Sequence, residues 1–368
     1  MKKNSFWVLI LFILACGNGQ VNISNLNNQN IIIFTLDGMR WQEIFKGIDS
    51  SLVHSKNFTR DEARWMREYW SDTVAVRRAR LFPFLWSTIH SQGMLLGNRM
   101  YGNKIDTKNP YWFSYPGYNE LFTGFPDTLV NSNEKIYNKN ISVLEYLHRQ
   151  PAFHDKVSVF ATWDVFPYIF NQPRSQLYIN ADQSMPSSND VYQLINDLQR
   201  LTTRPLGVRP DLLTYIGARE YLKRNKPRVM YIAFDETDDF AHAGMYDEYI
   251  ESAHAQDGMI ADLWSTVQSM PEYKDKTTLL ITCDHGRGDH IKSQWQDHGN
   301  KIDDAHEIWL ALMGPSIDPL GELKDSMQLY QGQIAATIAD LIGEKFTADH
   351  PVLDKMDIHA LKANSSTK

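Results

Sequence analysis

Short apolar runs that are rich in β-branched residues are the sequence feature that most constrains the fold of this chain. Five such runs occupy residues 31–36, 157–161, 229–234, 278–282 and 308–313. They lack alternation of apolar and polar positions, which is typical of strands buried on both faces of a parallel sheet. The runs therefore predict the strands of one large buried sheet.

Helical patterns separate these runs, at residues 141–149, 191–201, 212–224, 246–270 and 333–342. Strands that alternate with helices predict an α/β fold with a doubly wound, mostly parallel sheet flanked by helices. Two irregular stretches, 47–70 and 172–188, are interpreted as surface insertions that cap the active site.

Size and charge exclude some classes of protein. The 368 residues are 43% hydrophobic, which is enough to bury the core of one large α/β domain. The net charge is −7 and the chain has no basic run, so we expect no nucleic acid partner.

The first residues have the pattern of an export signal. Lys2 and Lys3 precede an apolar stretch, 6–15, that is too short to span a bilayer. The next residues, Ile13-Leu14-Ala15-Cys16, resemble a bacterial lipobox, which implies cleavage before Cys16 and membrane anchoring through its lipidated thiol. We expect residues 1–16 to be the signal peptide and lipobox, and 17–30 to be a flexible tether. The expected location is the periplasm or the outer membrane of a bacterium, although an ordinary cleaved signal is the alternative.

Acidic residues follow three of the apolar runs. Asp37, Asp238 and Asp284 come shortly after the runs that begin at residues 31, 229 and 278. Open α/β sheets place ligand sites at the carboxyl ends of their strands. We therefore expect the three carboxylates to converge at one edge of the sheet.

Two of these carboxylates are paired with histidines. Asp238 and His242 are four residues apart, so one turn of helix would bring them to one face. A mixed nitrogen and oxygen donor set suits Zn²⁺ better than Ca²⁺ or Mg²⁺, although a salt bridge would also explain the pair. Asp284 and His285 are adjacent, and we expect them to point to different places and to serve two metals. A buried Asp–His hydrogen bond is the alternative.

Ser114 is the candidate nucleophile. Pro116 is a suitable first-turn residue, so Ser114 would lie at the positive N-terminal end of a helix, where phosphate or sulfate binds well. A hydroxyl needs activation, which coordination to a divalent cation supplies. The alternative is that Ser114 only caps the helix.

The motifs together resemble the alkaline phosphatase superfamily, and most closely its branch of nucleotide pyrophosphatases/phosphodiesterases and related bacterial metalloenzymes. The resemblance is carried by Thr35-Leu36-Asp37-Gly38, the stretch from Ser114 to Gly124, Asp238-x-x-x-His242, Asp284-His285-Gly286, His298-Gly299 and Gly314-Pro315. It implies a catalytic domain over residues 31–345, followed by a C-terminal tail, 346–368.

The resemblance also implies a site with two divalent metal ions, expected to be Zn²⁺. Asp37, Asp284 and His285 would hold the ion that also binds the Ser114 oxygen. Asp238, His242 and His298 would hold the other, with His290 and His306 as competitors for the last position. Asn133 is the candidate for substrate binding, chosen over Asn131 and Asn138. Gly117 departs from the phosphodiesterase pattern, which has Asn there and Thr as the nucleophile.

The expected function is that of an exported two-metal phosphohydrolase, which cleaves small phosphate mono- or diesters through a phosphoserine intermediate. Two alternatives stay open. A sulfatase-branch ester hydrolase would share the fold, although Tyr118 stands where the sulfatase motif has Arg. A lipid-anchored binding protein without catalytic activity would also share it.

Overall fold

The computed structural model describes residues 29–186 and 189–361. The predicted signal peptide, the lipobox and all but the last two residues of the predicted tether lie outside these residues. Within them, no helix combines the length and the apolar character needed to cross a bilayer.

An eight-stranded sheet forms the centre of the fold, in the order β10-β2-β9-β7-β1-β6-β4-β5, and a three-stranded sheet has the order β11-β3-β8. The strands are β1 (Asn30–Leu36), β2 (Gly93–Leu96), β3 (Asn103–Asp106), β4 (Val157–Ala161), β5 (Tyr178–Ala181), β6 (Val229–Phe234), β7 (Thr277–Thr282), β8 (Glu307–Ile308), β9 (Leu310–Met313), β10 (Gly321–Glu322) and β11 (Met327–Tyr330).

Helices flank the sheet. The α-helices are α1 (Trp41–Lys46), α2 (Ser50–Val53), α3 (Glu62–Tyr69), α4 (Val74–Leu81), α5 (His90–Gln92), α6 (Ser114–Thr123), α7 (Val143–His148), α8 (Phe166–Ile169), α9 (Gln172–Ser175), α10 (Asp190–Leu201), α11 (Asp211–Asn225), α12 (Glu236–His242), α13 (Tyr246–Ser269) and α14 (Gln333–Leu341). Shorter helical turns cover Leu85–Ile89, Arg99–Tyr101, Lys292–Gln296 and Asp303–His306.

The central strand, β1, explains why the apolar runs lack alternation. It pairs in parallel with β6 on one side and with β7 on the other. Every residue of β1 is buried, because helices cover both faces of the sheet. The predicted α/β fold with a mostly parallel sheet is confirmed.

The run at 308–313 differs from the expectation of a single parallel strand. Trp309 divides it into β8, which belongs to the small sheet, and β9, which belongs to the large one. Among the strands described, β9 alone runs antiparallel to its neighbours β7 and β2 in the large sheet. The apolar run correctly predicted a buried strand, but burial does not determine the direction of a strand.

The two stretches predicted to be surface insertions contribute to the sheet and to the core. Residues 178–181 form β5, the edge strand of the large sheet, so the interpretation of 172–188 as a surface insertion is wrong at this point. The stretch 47–70 contains α2 and α3, whose Leu52 and Trp65 are buried in the core. Residues 346–361 of the predicted tail also pack on the domain, because Phe346, Met356 and Ile358 are buried. The rest of the predicted tail, 362–368, lies outside the described residues.

Candidate active site

The predicted acidic residues lie at the carboxyl ends of three adjacent strands. Asp37 follows β1 directly, and Asp284 lies shortly after β7. Asp238 is in α12, the short helix that follows β6. Because β7, β1 and β6 are neighbours in the sheet, their ends bring the three carboxylates together, as the sequence predicted.

The first group of donor atoms contains Asp37, Asp284 and His285, whose ligand atoms all lie within 4.8 Å of one another. The Nε2 atom of His285 is 3.4 Å from Asp37 Oδ1 and 3.4 Å from Asp284 Oδ2. The expectation that Asp284 and His285 point to different places is therefore wrong, since both side chains face this group.

The second group contains Asp238, His285 and His298, again within 4.8 Å. His242 adjoins it, because its Nε2 atom lies 3.2 Å from Asp238 Oδ2 and 2.9 Å from His298 Nε2. One turn of α12 separates Asp238 from His242 and brings both to one face, as their spacing predicted. His285 belongs to both groups, so the two groups are contiguous.

The donor atoms fit divalent cations. Asp37 Oδ1 and Asp284 Oδ2 are buried without a hydrogen-bond partner among the described residues. Burial, and then the charge of Asp37, raises the pKa of Asp284 to about 8. Burial, and then the neighbouring His285, holds the pKa of His298 well below its usual value, so His298 is neutral, which is the form that binds metals. Buried carboxylates without partners are costly unless a cation coordinates them.

Hydrogen bonds to the other carboxylate oxygens orient these acids. The hydroxyl of Tyr118 donates to Asp37 Oδ2 at 2.7 Å, and the backbone N–H of Gly38 donates to Asp284 Oδ1 at 3.1 Å. The unpaired oxygens are therefore left facing the donor group. Such supporting bonds are common around metal sites, but no role of this kind was predicted for Tyr118.

Ser114 is the first residue of α6, and its Oγ atom lies 3.4 Å from His285 Nε2. The N-cap of α6 is Phe113, so the alternative that Ser114 only caps the helix is not supported. Gly117 allows the close approach of α6, because a Cβ atom at this position would lie 2.5 Å from the carbonyl oxygen of Asp284.

Arg287 is a residue of the site that the sequence analysis missed. Its guanidinium group binds the Asp238 carboxylate and donates to the Asp238 carbonyl oxygen at 3.2 Å. Gly38, with φ +58°, leaves the space, because a Cβ atom there would lie 2.7 Å from Arg287 Nε. Burial lowers the pKa of Arg287 to about 9. Its position directly after Asp284-His285-Gly286 was the available signal.

The remaining candidates lie around the site. Asn133 Oδ1 accepts a hydrogen bond from the backbone N–H of Tyr115 at 3.0 Å, which places Asn133 beside Ser114. Among the described residues, neither donor group includes His290 or His306. The ring of His306 packs 5.1 Å from that of Trp112, and His290 is exposed. The roles assigned to the site residues stay predictions.

Comparison with known proteins agrees with this arrangement. Residues 214–345 match the model of the Metalloenzyme superfamily. That segment contains Asp238, His242, Asp284, His285 and His298. No curated protein sequence matches the chain significantly.

Solved structures with the same fold include three proteins whose activities differ from one another. The lipoteichoic acid synthase LtaP from Listeria monocytogenes has a TM-score of 0.56 at 14% identity, over 90% of this chain and 76% of that chain. BT1596, a 2-O GAG sulfatase, has a TM-score of 0.51 at 12% identity, over 89% and 73%. A mutant of alkaline phosphatase PafA has a TM-score of 0.58 at 10% identity, over 89% and 98%. The predicted resemblance to the alkaline phosphatase superfamily is confirmed at the level of the fold. The branch of nucleotide pyrophosphatases/phosphodiesterases stays a prediction.

Proposed function

We propose that this chain, which has the alkaline phosphatase fold and the sequence pattern of the Metalloenzyme superfamily, is an exported hydrolase of small phosphate mono- or diesters. It would use two divalent ions, Zn²⁺ in our proposal, and Ser114 as its nucleophile. The observation that supports this most is the 3.4 Å separation between Ser114 Oγ and His285 Nε2, because His285 belongs to both donor groups.

The ions would be held by Asp37, Asp284 and His285 on one side and by Asp238, His242 and His298 on the other. Divalent cations in such sites lower the pKa of a nearby hydroxyl and neutralise charge on phosphoryl oxygens. His285 is oriented for this role, because its Nδ1 atom lies 2.9 Å from the carbonyl oxygen of Gly286. Nδ1 therefore carries the proton in the neutral ring, and Nε2 presents its lone pair to the site.

Ser114 begins a ten-residue helix, so a phosphoryl group on its oxygen would lie at the positive N-terminal end of α6. In the proposed reaction the Ser114 oxygen bonds to phosphorus, the ester P–O bond breaks, and the alcohol leaves with a proton. Water then attacks the phosphoserine, releases phosphate or a phosphate monoester and restores the hydroxyl.

The sulfatase alternative shares the fold, so individual residues must distinguish it. Tyr118 stands where the sulfatase motif has Arg, and here its hydroxyl donates to Asp37 rather than reaching a substrate. The donor groups contain the imidazoles of His285 and His298, and His242 adjoins them, which favours transition metals over a single Ca²⁺. These observations favour phosphate over sulfate esters.

Hydrolysis of p-nitrophenyl phosphate, bis-p-nitrophenyl phosphate and p-nitrophenyl sulfate, together with metal analysis, tests the proposal. Ser114→Ala should abolish turnover while the metal content persists, and Asp238→Ala should lower the metal content. Ser91→Ala, on the exposed helix α5, is the matched control and should leave both unchanged. Wild-type rates in Ser114→Ala would refute the covalent mechanism. Bound metal without turnover of any ester would favour the binding protein.

Lipid anchoring at Cys16 is the remaining part of the proposal. Metabolic labelling with a fatty acid should mark the wild-type protein but not Cys16→Ala. Equal labelling of both proteins would contradict it, and recovery of an unlabelled protein outside the cytoplasm would support the ordinary cleaved signal.

A further inference from the structure

A third group of donor atoms lies at the opposite end of the sheet from the candidate active site. It consists of His148, His154 and Asp155, whose ligand atoms all lie within 4.8 Å of one another. His148 ends α7, and Asp155 comes just before β4 begins. The group is therefore at the amino end of β4, whereas the active-site carboxylates follow the carboxyl ends of the strands.

His154 has the orientation that a metal ligand requires. Its Nδ1 atom lies 3.3 Å from the carbonyl oxygen of His148, which makes Nδ1 the protonated nitrogen. A ligating histidine commonly donates its other ring N–H to such a carbonyl, and the hydrogen bond fixes both the tautomer and the ring. The Nε2 atom is thereby left with its lone pair, 3.7 Å from Asp155 Oδ2.

This separation is close to that expected for two ligands of one ion. Bonds of about 2.0–2.1 Å at tetrahedral angles place neighbouring donor atoms about 3.4 Å apart. The side chains of His154 and Asp155 are 64% and 80% exposed, so both are free to make the small adjustment. The backbone of Asp155 has φ +57°, a conformation that is uncommon for a residue with a side chain.

His148 supplies a buried nitrogen without a partner. The residue is 6% exposed, and its Nδ1 atom makes no hydrogen bond to any described residue. Its ring centroid is 5.0 Å from that of His154. A buried polar nitrogen without a partner is costly, and coordination would remove that cost.

We propose that His148, His154 and Asp155 bind a divalent transition-metal ion of the Zn²⁺ class, with the fourth position left to water. Two imidazoles and one carboxylate are ligands that Zn²⁺ accepts in proteins. The ion would link the end of α7 to the start of β4. It would thereby stabilise the turn at residues 149–156 independently of any chemistry at Ser114.

Equilibrium dialysis of the full-length protein in detergent against Zn²⁺, followed by metal analysis, tests this site. His154→Ala should bind one equivalent of Zn²⁺ less than the wild type, and its rate of p-nitrophenyl phosphate hydrolysis should not change. Because His154 is exposed, this substitution should not impair folding; His148→Ala is the second variant. His54→Ala is the matched control, since the His54 ring is also exposed and pairs with Glu62 among the described residues.

Chemical modification provides a second measurement that does not depend on activity. Zn²⁺ should protect His154, but not His54, from carbethoxylation by diethyl pyrocarbonate, as read by mass spectrometry. The proposal is overturned if His154→Ala and His148→Ala keep the wild-type Zn²⁺ content. It is also overturned if His54→Ala loses the same equivalent, or if Zn²⁺ leaves the modification of His154 unchanged.

Discussion

The guanidinium group of Arg287 binds the carboxylate of Asp238, a predicted metal ligand. Arg287 also donates to the carbonyl oxygen of Gln296 at 2.5 Å. One buried cation therefore connects α12 to the segment that leads to His298. In this way Arg287 fixes the position of Asp238 relative to the segment that carries His298.

Arg287→Met should destabilise the metal-free protein by about 3–5 kcal/mol, because it leaves a largely buried carboxylate without its partner. The loss should be smaller with Zn²⁺ bound, since the ion then compensates the charge of Asp238. Urea unfolding with and without Zn²⁺ measures both values. Arg67→Met is the control: Arg67 is 69% exposed, and its pair with Glu68 is worth little. Equal losses in the two variants would contradict the role of Arg287.

Gly117→Ala should destabilise the protein by about 1–3 kcal/mol, because the added methyl group would overlap the Asp284 carbonyl oxygen and push α6 from the sheet. Gly258→Ala is the matched change, since Gly258 is also helical and a Cβ atom there meets no described atom within 4 Å. It should stabilise the protein by up to about 1 kcal/mol through helix propensity. Thermal unfolding compares the two. A stabilising Gly117→Ala would contradict the close approach of α6.

Asn133 substitutions should separate stability from substrate binding. Asn133→Ala removes the acceptor for the Tyr115 N–H and should cost about 1 kcal/mol. Asn133→Asp keeps the acceptor and should be as stable as the wild type, but its negative charge beside Ser114 should raise KM for p-nitrophenyl phosphate. Chemical unfolding and steady-state kinetics measure the two effects. An unchanged KM in Asn133→Asp would argue against a substrate-binding role.

Removal of metal should make stability strongly dependent on pH. In the metal-free protein the pKa of Asp284 is raised to about 8, above its value of about 3.9 in an unfolded chain. Burial alone would lower the pKa of His285, but Asp284 and Asp37 raise it to about 9. Both groups stabilise the fold at low pH, and both contributions are lost as the pH rises through these values.

The melting temperature of the chelated protein should therefore fall between pH 5 and pH 9. Metal binding needs deprotonated ligands, so the stabilisation by Zn²⁺ should grow over the same range. Differential scanning fluorimetry with chelator or with Zn²⁺ measures both trends. A difference in melting temperature that stays constant with pH would contradict the assignment of these ligands.

The sequence predicted the sheet and the convergence of the acids for a definite physical reason. Strands buried on both faces read as uninterrupted apolar runs, and ligand-type residues directly after them must lie at one edge of a parallel sheet. Asp37 and Asp284 are examples, since each is tied to a strand end by only a few residues.

Features that depend on contacts between distant segments were not predictable in this way. The position of Arg287 after Asp284 and His285 indicates that it lies near the site. Its contact with Asp238 exists only because the fold brings the two residues together. The direction of β9 could also not be predicted from the sequence, because a buried strand has the same composition in either direction. The convergence of Asp284 and His285 depends on how the backbone turns after β7, which adjacency in sequence does not specify.

The reversed direction of β9 has a consequence for how such a site changes in evolution. Thr282, the last residue of β7, pairs with Leu310, the first residue of β9. The chain that carries Asp284, His285, Arg287 and His298 thus leaves the sheet and returns to it at one pair of facing residues. Its length and donors before β8 can be altered without shifting the register of β7 and β9 in the large sheet. This segment is therefore where we expect enzymes built on the same scaffold to diverge in metal and substrate.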